Sequence, residues 1–326
     1  MRTADDAVEA AAAVLGDRAR RRVPVGPLTS YRVGGPAALF FEASDESDLD
    51  LVSAAVRASG VDVLVVGRGS NLLVADQGFP GLALVLGDGF ADLAFEGTEV
   101  VAGAAVSLPV LARRTAVAGL TGMEWSVGVP GSVGGAVRMN AGGHGSDISR
   151  CLVAARVHDL AAGAGADADN GAGEGAGDAR LHLHGWVTAD RLGLGYRHSA
   201  LGPHHVVVAA RFALAPGDRA ASEEAIADIV RWRREHQPGG SNGGSVFANP
   251  AGDSAGRLID EAGLKGLRRG SAFVSPKHAN FVQVDDGGSA DDVAALVAEV
   301  ARLVAARTGV TLRVENHLVG FPEEAR

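Results

Sequence analysis

The chain has little cysteine, few aromatic residues and no long apolar run, and each shortage excludes a class of protein. Cys151 is its one cysteine, so an internal disulfide is excluded and a reducing, cytoplasmic setting is favoured. No stretch approaches the roughly 18 consecutive apolar residues of a membrane-spanning helix. The acidic N-terminus lacks the apolar segment of a signal peptide. We therefore expect a cytoplasmic protein that does not bind a membrane.

Positively charged residues are also fewer than negatively charged ones. The 326 residues include 30 Lys and Arg against 39 Asp and Glu, a net charge of −9, which argues against nucleic acid as a partner. The ten histidines show no spacing with cysteine or carboxylate that is typical of a metal site, so we expect no metal. The length exceeds one typical core, so two or three domains are expected.

Glycine, by contrast, is concentrated in residues 122–145, where eight glycines occur among 24 residues. The residues between them include Met123, Trp125, Val127 and Val133, which favour burial over a flexible linker. Buried glycines allow close approach of the backbone to another group, and a diphosphate bound by backbone N–H groups is a frequent reason. A tightly turned stretch of sheet without a ligand is the alternative.

A second glycine-containing loop, Gly67-Arg-Gly-Ser-Asn71, follows a predicted buried strand at residues 61–66. It differs from the dinucleotide-binding fingerprint, because Leu72 stands where the third glycine is needed and the chain continues as a strand. The loop therefore offers N–H and hydroxyl groups, with Ser70 and Asn71 as polar contacts. A simple Gly/Asn turn is the alternative.

Helix and strand alternate in residues 1–86, short strands dominate residues 87–218, and helical periodicity returns in residues 219–326. The individual predictions are helices at residues 4–15 and 108–118, helices begun by Ser47, Ser222, Ser254 and Ser289, and a final strand at residues 310–319. One helix, at residues 108–118, is expected to interrupt the sheet-rich middle. Residues 161–179 are nearly all Ala, Gly and Asp, a composition typical of a disordered insertion.

Four polar residues stand out as candidates for chemistry. Arg32 and Arg197 each follow one of the chain's two tyrosines, and such an arginine suits a carboxylate, although a surface salt bridge is the commoner role. Ser245 follows two glycines, but Phe247 stands where a nucleophile elbow needs glycine, so a hydrolase triad has little support. Glu315 lies in an apolar extended run. It is either a partly buried carboxylate or a glutamate at a strand edge that pairs with an arginine.

Taken in order, these segments resemble the UDP-N-acetylenolpyruvoylglucosamine reductase family along nearly the whole chain. The matching stretches are Thr29-Ser-Tyr-Arg-Val-Gly-Gly-Pro-Ala37, Gly67-Arg-Gly-Ser-Asn-Leu-Leu-Val74, Gly128-Val-Pro-Gly-Ser-Val-Gly-Gly-Ala136, Met139-Asn-Ala-Gly142, Gly195-Tyr-Arg-His-Ser199, Gly244-Ser-Val-Phe-Ala-Asn-Pro250, residues 255–266, residues 274–281 and residues 314–320.

The resemblance implies an α+β fold. It has a two-domain FAD-binding α/β unit of the vanillyl-alcohol-oxidase-like type (1–86 and 87–218) and a C-terminal α/β substrate-binding domain (219–326). NADPH reduces the FAD, and the enolpyruvyl sugar nucleotide then accepts hydride, in peptidoglycan precursor synthesis. The implied cofactor contacts are Gly67, Arg68, Gly69, Ser70, Asn71, Gly128, Val129, Pro130, Gly131, Ser132, Gly134 and Gly135.

The resemblance also implies a catalytic trio of Arg197, Ser245 and Glu315, with Tyr196 and Asn249 as substrate contacts. The arginine binds the substrate carboxylate, the serine protonates the α-carbon, and the glutamate assists.

This chain departs from the family pattern in two places and in one loop. His236 and Ala248 stand where related sequences commonly carry lysine. The chain also lacks the extra tyrosine-bearing loop of one subclass, so we expect the shorter subclass, and a monomer.

Two other functions remain open at this stage. Another FAD-dependent oxidoreductase of the same architecture needs neither Ser245 nor Glu315. A non-catalytic nucleotide-binding module needs none of the three catalytic residues.

Overall fold

A computed structural model describes residues 3–162 and 183–322. The predicted insertion at 161–179 lies outside the described residues from position 163 onward. The chain divides into two compact units. The first comprises Met1–Arg20, Phe40–Gly67 and Leu84–Val230, and the second comprises Arg21–Leu39, Arg68–Ala83 and Arg231–Arg326. The three-domain boundaries expected from the sequence stay a prediction.

Helices and strands are mixed throughout the described chain, which confirms the α+β class. The helices are α1 (Ala4–Leu15), α2 (Glu46–Ser59), α3 (Leu108–Val117), α4 (Val133–Met139), α5 (Arg219–His236), α6 (Ala255–Glu261) and α7 (Ala290–Thr308). In the described residues, no helix combines the length and the apolar character needed to cross a membrane.

The strands are short and many. They are β1 (Arg20–Pro24), β2 (Pro36–Ala43), β3 (Val63–Val66), β4 (Leu72–Val74), β5 (Phe79–Leu86), β6 (Leu93–Glu96), β7 (Glu99–Gly103), β8 (Leu120–Thr121), β9 (Gly142–Gly143), β10 (Ser146–Asp147), β11 (Leu152–Asp159), β12 (Gly185–Thr188), β13 (His205–Ala213), β14 (Ala215–Pro216), β15 (Asn242–Ser245), β16 (Arg268–Arg269), β17 (Ala272–Val274), β18 (Phe281–Val284) and β19 (His317–Val319). One four-stranded sheet has the order β1-β2-β5-β3.

The first unit contains a five-stranded antiparallel sheet of order β12-β11-β13-β7-β6. Its core includes Leu111 from α3, Val137 from α4 and Phe212 from β13, all fully buried. Met123, Trp125 and other apolar residues of the glycine-rich segment join this core, which confirms that the segment is buried.

The second unit contains a four-stranded antiparallel sheet of order β15-β18-β17-β16 and a parallel pair of β4 with β19. The apolar face of α7 packs into this core with Val293, Leu296 and Val300. Phe247, which follows β15, is buried in the same core.

Four helix starts test the predicted caps. Ser254 caps α6 by accepting from the Arg257 N–H at 3.2 Å, as predicted. Ser289 caps α7 by accepting from the Asp292 N–H, as predicted. The cap predicted at Ser47 is wrong, because Asp45 accepts the Asp48 N–H at 3.1 Å and α2 begins at once after it. Aspartate and serine are equally good N-caps, so the sequence pattern alone does not determine which of the two residues caps α2.

The start of α5 and the middle of the chain also differ from prediction. The helix begins before Ser222, because the Asp218 carboxylate accepts the Ala221 N–H at 2.8 Å. A second helix, α4, interrupts the sheet-rich region; it is capped by Ser132 and ended by Asn140 in the left-handed conformation. The final strand is shorter than residues 310–319, because only β19 pairs with β4.

Candidate functional site

The first glycine-rich loop, residues 67–71, connects β3 to β4. Gly69 has a φ of +59°, and a Cβ atom there would lie 2.3 Å from the carbonyl oxygen of Leu28, so only glycine fits. Among the described residues, none accepts a hydrogen bond from the backbone N–H groups of residues 68–71. Successive donors of this kind suit an anionic group such as a diphosphate.

The side chain of Asn71 joins this loop to the segment that carries Glu315. Its Nδ2 donates to the Glu315 carbonyl oxygen at 3.1 Å, and its Oδ1 accepts from Asn316 Nδ2 at 3.0 Å. Its carbonyl oxygen accepts the His317 N–H at 2.8 Å. The amide therefore holds the loop in place, and the Asn71 backbone N–H remains a donor for a cofactor.

The second glycine-rich loop, residues 128–135, leads into α4. Two of the first N–H groups of this helix donate to backbone carbonyl oxygens at 2.9 and 3.0 Å. The Gly135 N–H donates to the Ser132 hydroxyl at 3.4 Å. The backbone N–H groups of Gly131 and Ser132 donate to no described residue. These two groups are therefore the donors that this loop offers to a diphosphate.

Two glycines of the first unit are in close contact with neighbouring side chains. A Cβ atom at Gly67 would lie 2.6 Å from Ser132 Oγ, and one at Gly128 would lie 2.9 Å from His144 Nε2. A larger residue at either position would therefore have to displace the side chain of Ser132 or of His144.

Arg197 lies at the tip of a tight hairpin. The Gly195 N–H donates to the His198 carbonyl oxygen at 3.0 Å, and the reverse bond measures 3.1 Å. Arg197 has a φ of +54°, its Nη2 donates to the Gly142 carbonyl oxygen at 2.8 Å, and its guanidinium lies 5.2 Å from the centre of the Tyr196 ring. Because a guanidinium carries five N–H donors, Arg197 can keep this bond while it binds a carboxylate.

Asn140 is not among the site residues predicted from the sequence, but it supports one of them. It is buried at the end of α4 with a φ of +40°, and its Nδ2 donates to the Gly195 carbonyl oxygen at 2.9 Å. Its Oδ1 accepts the Ser149 N–H at 3.0 Å. Asn140 thus supports the hairpin of Arg197. The signal was the asparagine itself, because asparagine, after glycine, is the residue that most often takes the left-handed conformation at the end of a helix.

Ser245 and Glu315 are brought together in the second unit. Ser245 ends β15, and the next residue, Val246, accepts the Glu315 N–H at 2.7 Å. An antiparallel bridge between Phe247 and Val314 fixes this register. Ser245 is exposed, Glu315 is partly buried, and the Ser245 hydroxyl bonds to none of the described residues. A hydroxyl and a carboxylate are therefore carried by adjacent, hydrogen-bonded backbone segments of this unit.

Tyr196 and Asn249 are the predicted substrate contacts, and both are exposed. Tyr196 is 57% exposed, at the hairpin tip beside Arg197. Asn249 is exposed too, but its Oδ1 accepts the Ala255 N–H at 3.1 Å at the start of α6, so its amide group also orders that helix. In the described residues no cluster of three or more His, Cys, Asp or Glu side chains could hold a metal ion.

Models of two domain families match different parts of this chain. A model of the UDP-N-acetylenolpyruvoylglucosamine reductase C-terminal domain matches residues 236–319, which include Ser245 and Glu315. A model of an FAD binding domain matches residues 37–165, which include both glycine-rich loops.

Individual proteins match nearly the whole chain. The UDP-N-acetylenolpyruvoylglucosamine reductase of Azorhizobium caulinodans is 38% identical over 321 residues, 97% of each chain. That of Acidiphilium cryptum is 44% identical over 301 residues, 92% of this chain and 91% of the other. The crystal structure of the reductase (MurB) from Thermus caldophilus aligns with a TM-score of 0.75 at 33% identity, and covers 92% of this chain and 99% of that one.

Proposed function

Because the chain belongs to the UDP-N-acetylenolpyruvoylglucosamine reductase family, we propose that Arg197, Ser245 and Glu315 are the residues that act on its substrate. The enzyme uses NADPH and FAD to reduce UDP-N-acetylglucosamine enolpyruvate to UDP-N-acetylmuramate, in peptidoglycan precursor synthesis. The observation that carries the proposal is the backbone hydrogen bond from the Glu315 N–H to Val246, which joins the segment of the glutamate to the residue after the serine.

The glycine-rich loops fit FAD. Residues 68–71 of the second unit and, separately, Gly131 and Ser132 of the first unit offer backbone N–H donors of the kind that suits a diphosphate. FAD bound there would supply the redox chemistry, namely transfer of hydride from NADPH to the β-carbon of the enol ether. Arg68 and Ser70 contribute polar side chains at the same loop.

Side chains of the protein stabilise the negative charge that develops on the substrate and supply the proton. Addition of hydride to the β-carbon leaves carbanion character on the α-carbon, next to the substrate carboxylate. Arg197 binds that carboxylate and stabilises the spread of negative charge. The Ser245 hydroxyl gives its proton to the α-carbon, and Glu315 polarises or protonates the same intermediate. Tyr196 and Asn249 bind the substrate.

Three finer properties belong to the same proposal. We propose that the enzyme is a cytoplasmic monomer whose partner is a small sugar nucleotide and which binds neither nucleic acid nor membrane. The support is the net charge of −9 and the single, buried Cys151 thiol. We also keep the three-domain division at 1–86, 87–218 and 219–326 as a proposal.

Replacement of Ser245 by alanine separates proton transfer from cofactor reduction. Ser245→Ala removes only the hydroxyl, so anaerobic bleaching of FAD by NADPH is expected at the normal rate. Re-oxidation by the enolpyruvyl substrate falls at least about 100-fold, the usual loss when a general acid is removed. Stopped-flow absorbance of the flavin measures both steps.

A serine outside the site provides the control. The Ser47 hydroxyl donates to Asp45 on the surface of α2, so Ser47→Ala keeps both half-reactions. If Ser245→Ala re-oxidised at the normal rate, the assignment of Ser245 as the proton donor would be wrong.

A further inference from the structure

Three polar side chains of the second unit, Tyr31, Asn316 and Asn71, form what we call the tyrosine–asparagine network. The Tyr31 hydroxyl donates to Asn316 Oδ1 at 2.9 Å, and Asn316 Nδ2 donates to Asn71 Oδ1 at 3.0 Å. Tyr31 is 0% exposed and Asn316 is 7% exposed. Buried polar groups are costly unless they are paired, so each member depends on the other two for its position.

Two members of the network, Asn71 and Asn316, each hold a segment of the proposed catalytic machinery. Asn71 binds the Glu315 carbonyl oxygen at 3.1 Å, and Asn316 is the next residue along the chain. Asn316 Nδ2 also donates to the Gly243 carbonyl oxygen at 3.1 Å, two residues before Ser245. The network therefore contacts the strand that ends in the serine and the segment that carries the glutamate.

Packing reinforces these hydrogen bonds. A Cβ atom at Gly243 would lie 2.4 Å from Cε2 of Tyr31, so glycine is needed for the ring to lie flat against β15. Burial raises the pKa of the Tyr31 hydroxyl far above its ordinary value, so it stays protonated and remains a donor at neutral pH. Tyr31 thus fixes the orientation of the Asn316 amide, whose Oδ1 can accept but not donate.

We propose that Tyr31 and Asn316 are positioning residues for the protonation step, acting on Glu315 and Ser245 through the backbone of their segments. The inference rests on the proposed roles of those two residues. Small displacements of catalytic groups cost large factors in rate, so a hydrogen bond behind the site can control the chemistry without touching substrate. Reduction of FAD by NADPH needs neither Ser245 nor Glu315, so loss of the Tyr31 hydroxyl is expected to slow the second half-reaction selectively.

Tyr31→Phe keeps the ring and removes the hydroxyl, which leaves Asn316 Oδ1 buried without its donor. We expect re-oxidation of NADPH-reduced FAD by the enolpyruvyl substrate to slow about tenfold, the equivalent of one buried hydrogen bond. The rate of bleaching by NADPH and the FAD content stay within about twofold of wild type. Stopped-flow absorbance gives the rates, and the flavin spectrum gives the content.

Ser271→Ala is the matched control for a purely structural loss. The Ser271 hydroxyl donates to Asp292 at 2.8 Å and accepts the Ser289 N–H at 2.9 Å, in the same unit but at the start of α7. This variant is expected to lose stability while it keeps both half-reactions. Slowing of re-oxidation by Ser271→Ala to the same extent as by Tyr31→Phe would overturn the proposal.

A double-mutant cycle shows whether Tyr31 acts through Glu315. In the Glu315→Gln background, Tyr31→Phe is expected to slow re-oxidation clearly less than tenfold, because one of the two groups that it positions is gone and only its effect on Ser245 remains. A full tenfold effect in that background would refute positioning of Glu315. If Glu315→Gln alone changed nothing, the proposed catalytic role of Glu315 would fail. If only Tyr31→Phe had no effect, the network would fail and the role of Glu315 would stand.

Amide hydrogen exchange gives a readout that is independent of turnover. The Glu315 N–H donates to Val246 and the His317 N–H donates to Asn71. In Tyr31→Phe we expect faster exchange in the peptide of residues 312–319, and in Ser271→Ala we expect the wild-type rate there. Unchanged exchange in Tyr31→Phe would contradict the proposal.

Discussion

At the scale of single residues, backbone strain is concentrated around Arg197. Within residues 3–162 and 183–322, five non-glycine residues have positive φ, and three of them, Asn140, His144 and Arg197, belong to the glycine-rich segment or to the hairpin that it supports. Left-handed backbone is unfavourable for a residue with a Cβ atom. A functional side chain at such a position is consistent with strain that is retained for activity.

Replacement of Arg197 by alanine and by glycine separates its two properties. Both changes remove the guanidinium, so both are expected to abolish detectable turnover of the enolpyruvyl substrate. Glycine adopts a φ of +54° without strain, so Arg197→Gly is expected to be more stable than Arg197→Ala by about 1 kcal/mol. Urea unfolding gives the stability difference, and steady-state kinetics give the activity.

Arg22 is the control, since it has a φ of +50° and is exposed. Arg22→Gly is expected to show the same stability gain over Arg22→Ala, and both variants keep full activity. Equal stabilities of Arg197→Ala and Arg197→Gly would show that this hairpin carries no strain.

The roles of individual residues followed from resemblance more than from local pattern. Arg197 taken alone favoured a surface salt bridge, yet in the structure its guanidinium bonds to the Gly142 carbonyl oxygen. Tyr31 and Asn316 bond to each other although they are separated by 285 positions. A contact of that kind depends on tertiary packing, so no local sequence signal indicates it.

At the scale of elements, α2 is fixed at its start by Asp48. This carboxylate accepts the Ser44 N–H at 2.7 Å and pairs with Arg18 at 2.5 Å, while only 5% of its side chain is exposed. The Arg18 hydrogen bond lowers the pKa of Asp48 below its ordinary 3.8. The stabilisation is therefore complete above pH 3.8 and is lost as pH falls through the lower folded-state pKa.

Asp48→Asn is expected to lower the free energy of unfolding at pH 7 by about 1 kcal/mol, a value reduced because Arg18 is half exposed. The difference from wild type narrows as pH falls below 3.8, where the wild-type carboxyl also becomes neutral. Asp50→Asn, on the same helix with 79% of the side chain exposed, is the control and leaves the stability unchanged. A difference that stayed constant with pH would contradict this account.

The elements whose ends are marked by residues close in sequence could be predicted from the sequence. The cap at Ser289, the periodic apolar face and the C-terminal Gly309 defined α7 within one residue. By contrast, β19 exists through its pairing with β4, in which His317 lies opposite Leu72. The sequence of residues 310–319 looks extended throughout, and only the distant partner determines which part becomes a strand.

At the scale of the whole molecule, cofactor binding and stability are linked. A ligand that binds only the folded state raises the free energy of unfolding, by about 2.7 kcal/mol when its concentration is 100 times the Kd. Free FAD is therefore expected to raise the melting temperature of the apoprotein in a concentration-dependent way. NADPH alone, which needs the bound flavin to react, has no such effect at the same concentration.

Gly67→Ala tests whether this linkage depends on the glycine-rich loops. The added Cβ would lie 2.6 Å from Ser132 Oγ, so the alanine fills space beside the N–H donors of the second loop. The FAD-dependent rise in melting temperature is expected to shrink by more than half. Gly239→Ala is the control, because that glycine has open space around it, and it keeps the full rise. A full rise in Gly67→Ala would mean that Gly67 does not contribute to binding of the cofactor, and the diphosphate would then have to be assigned to the N–H groups of residues 68–71 alone.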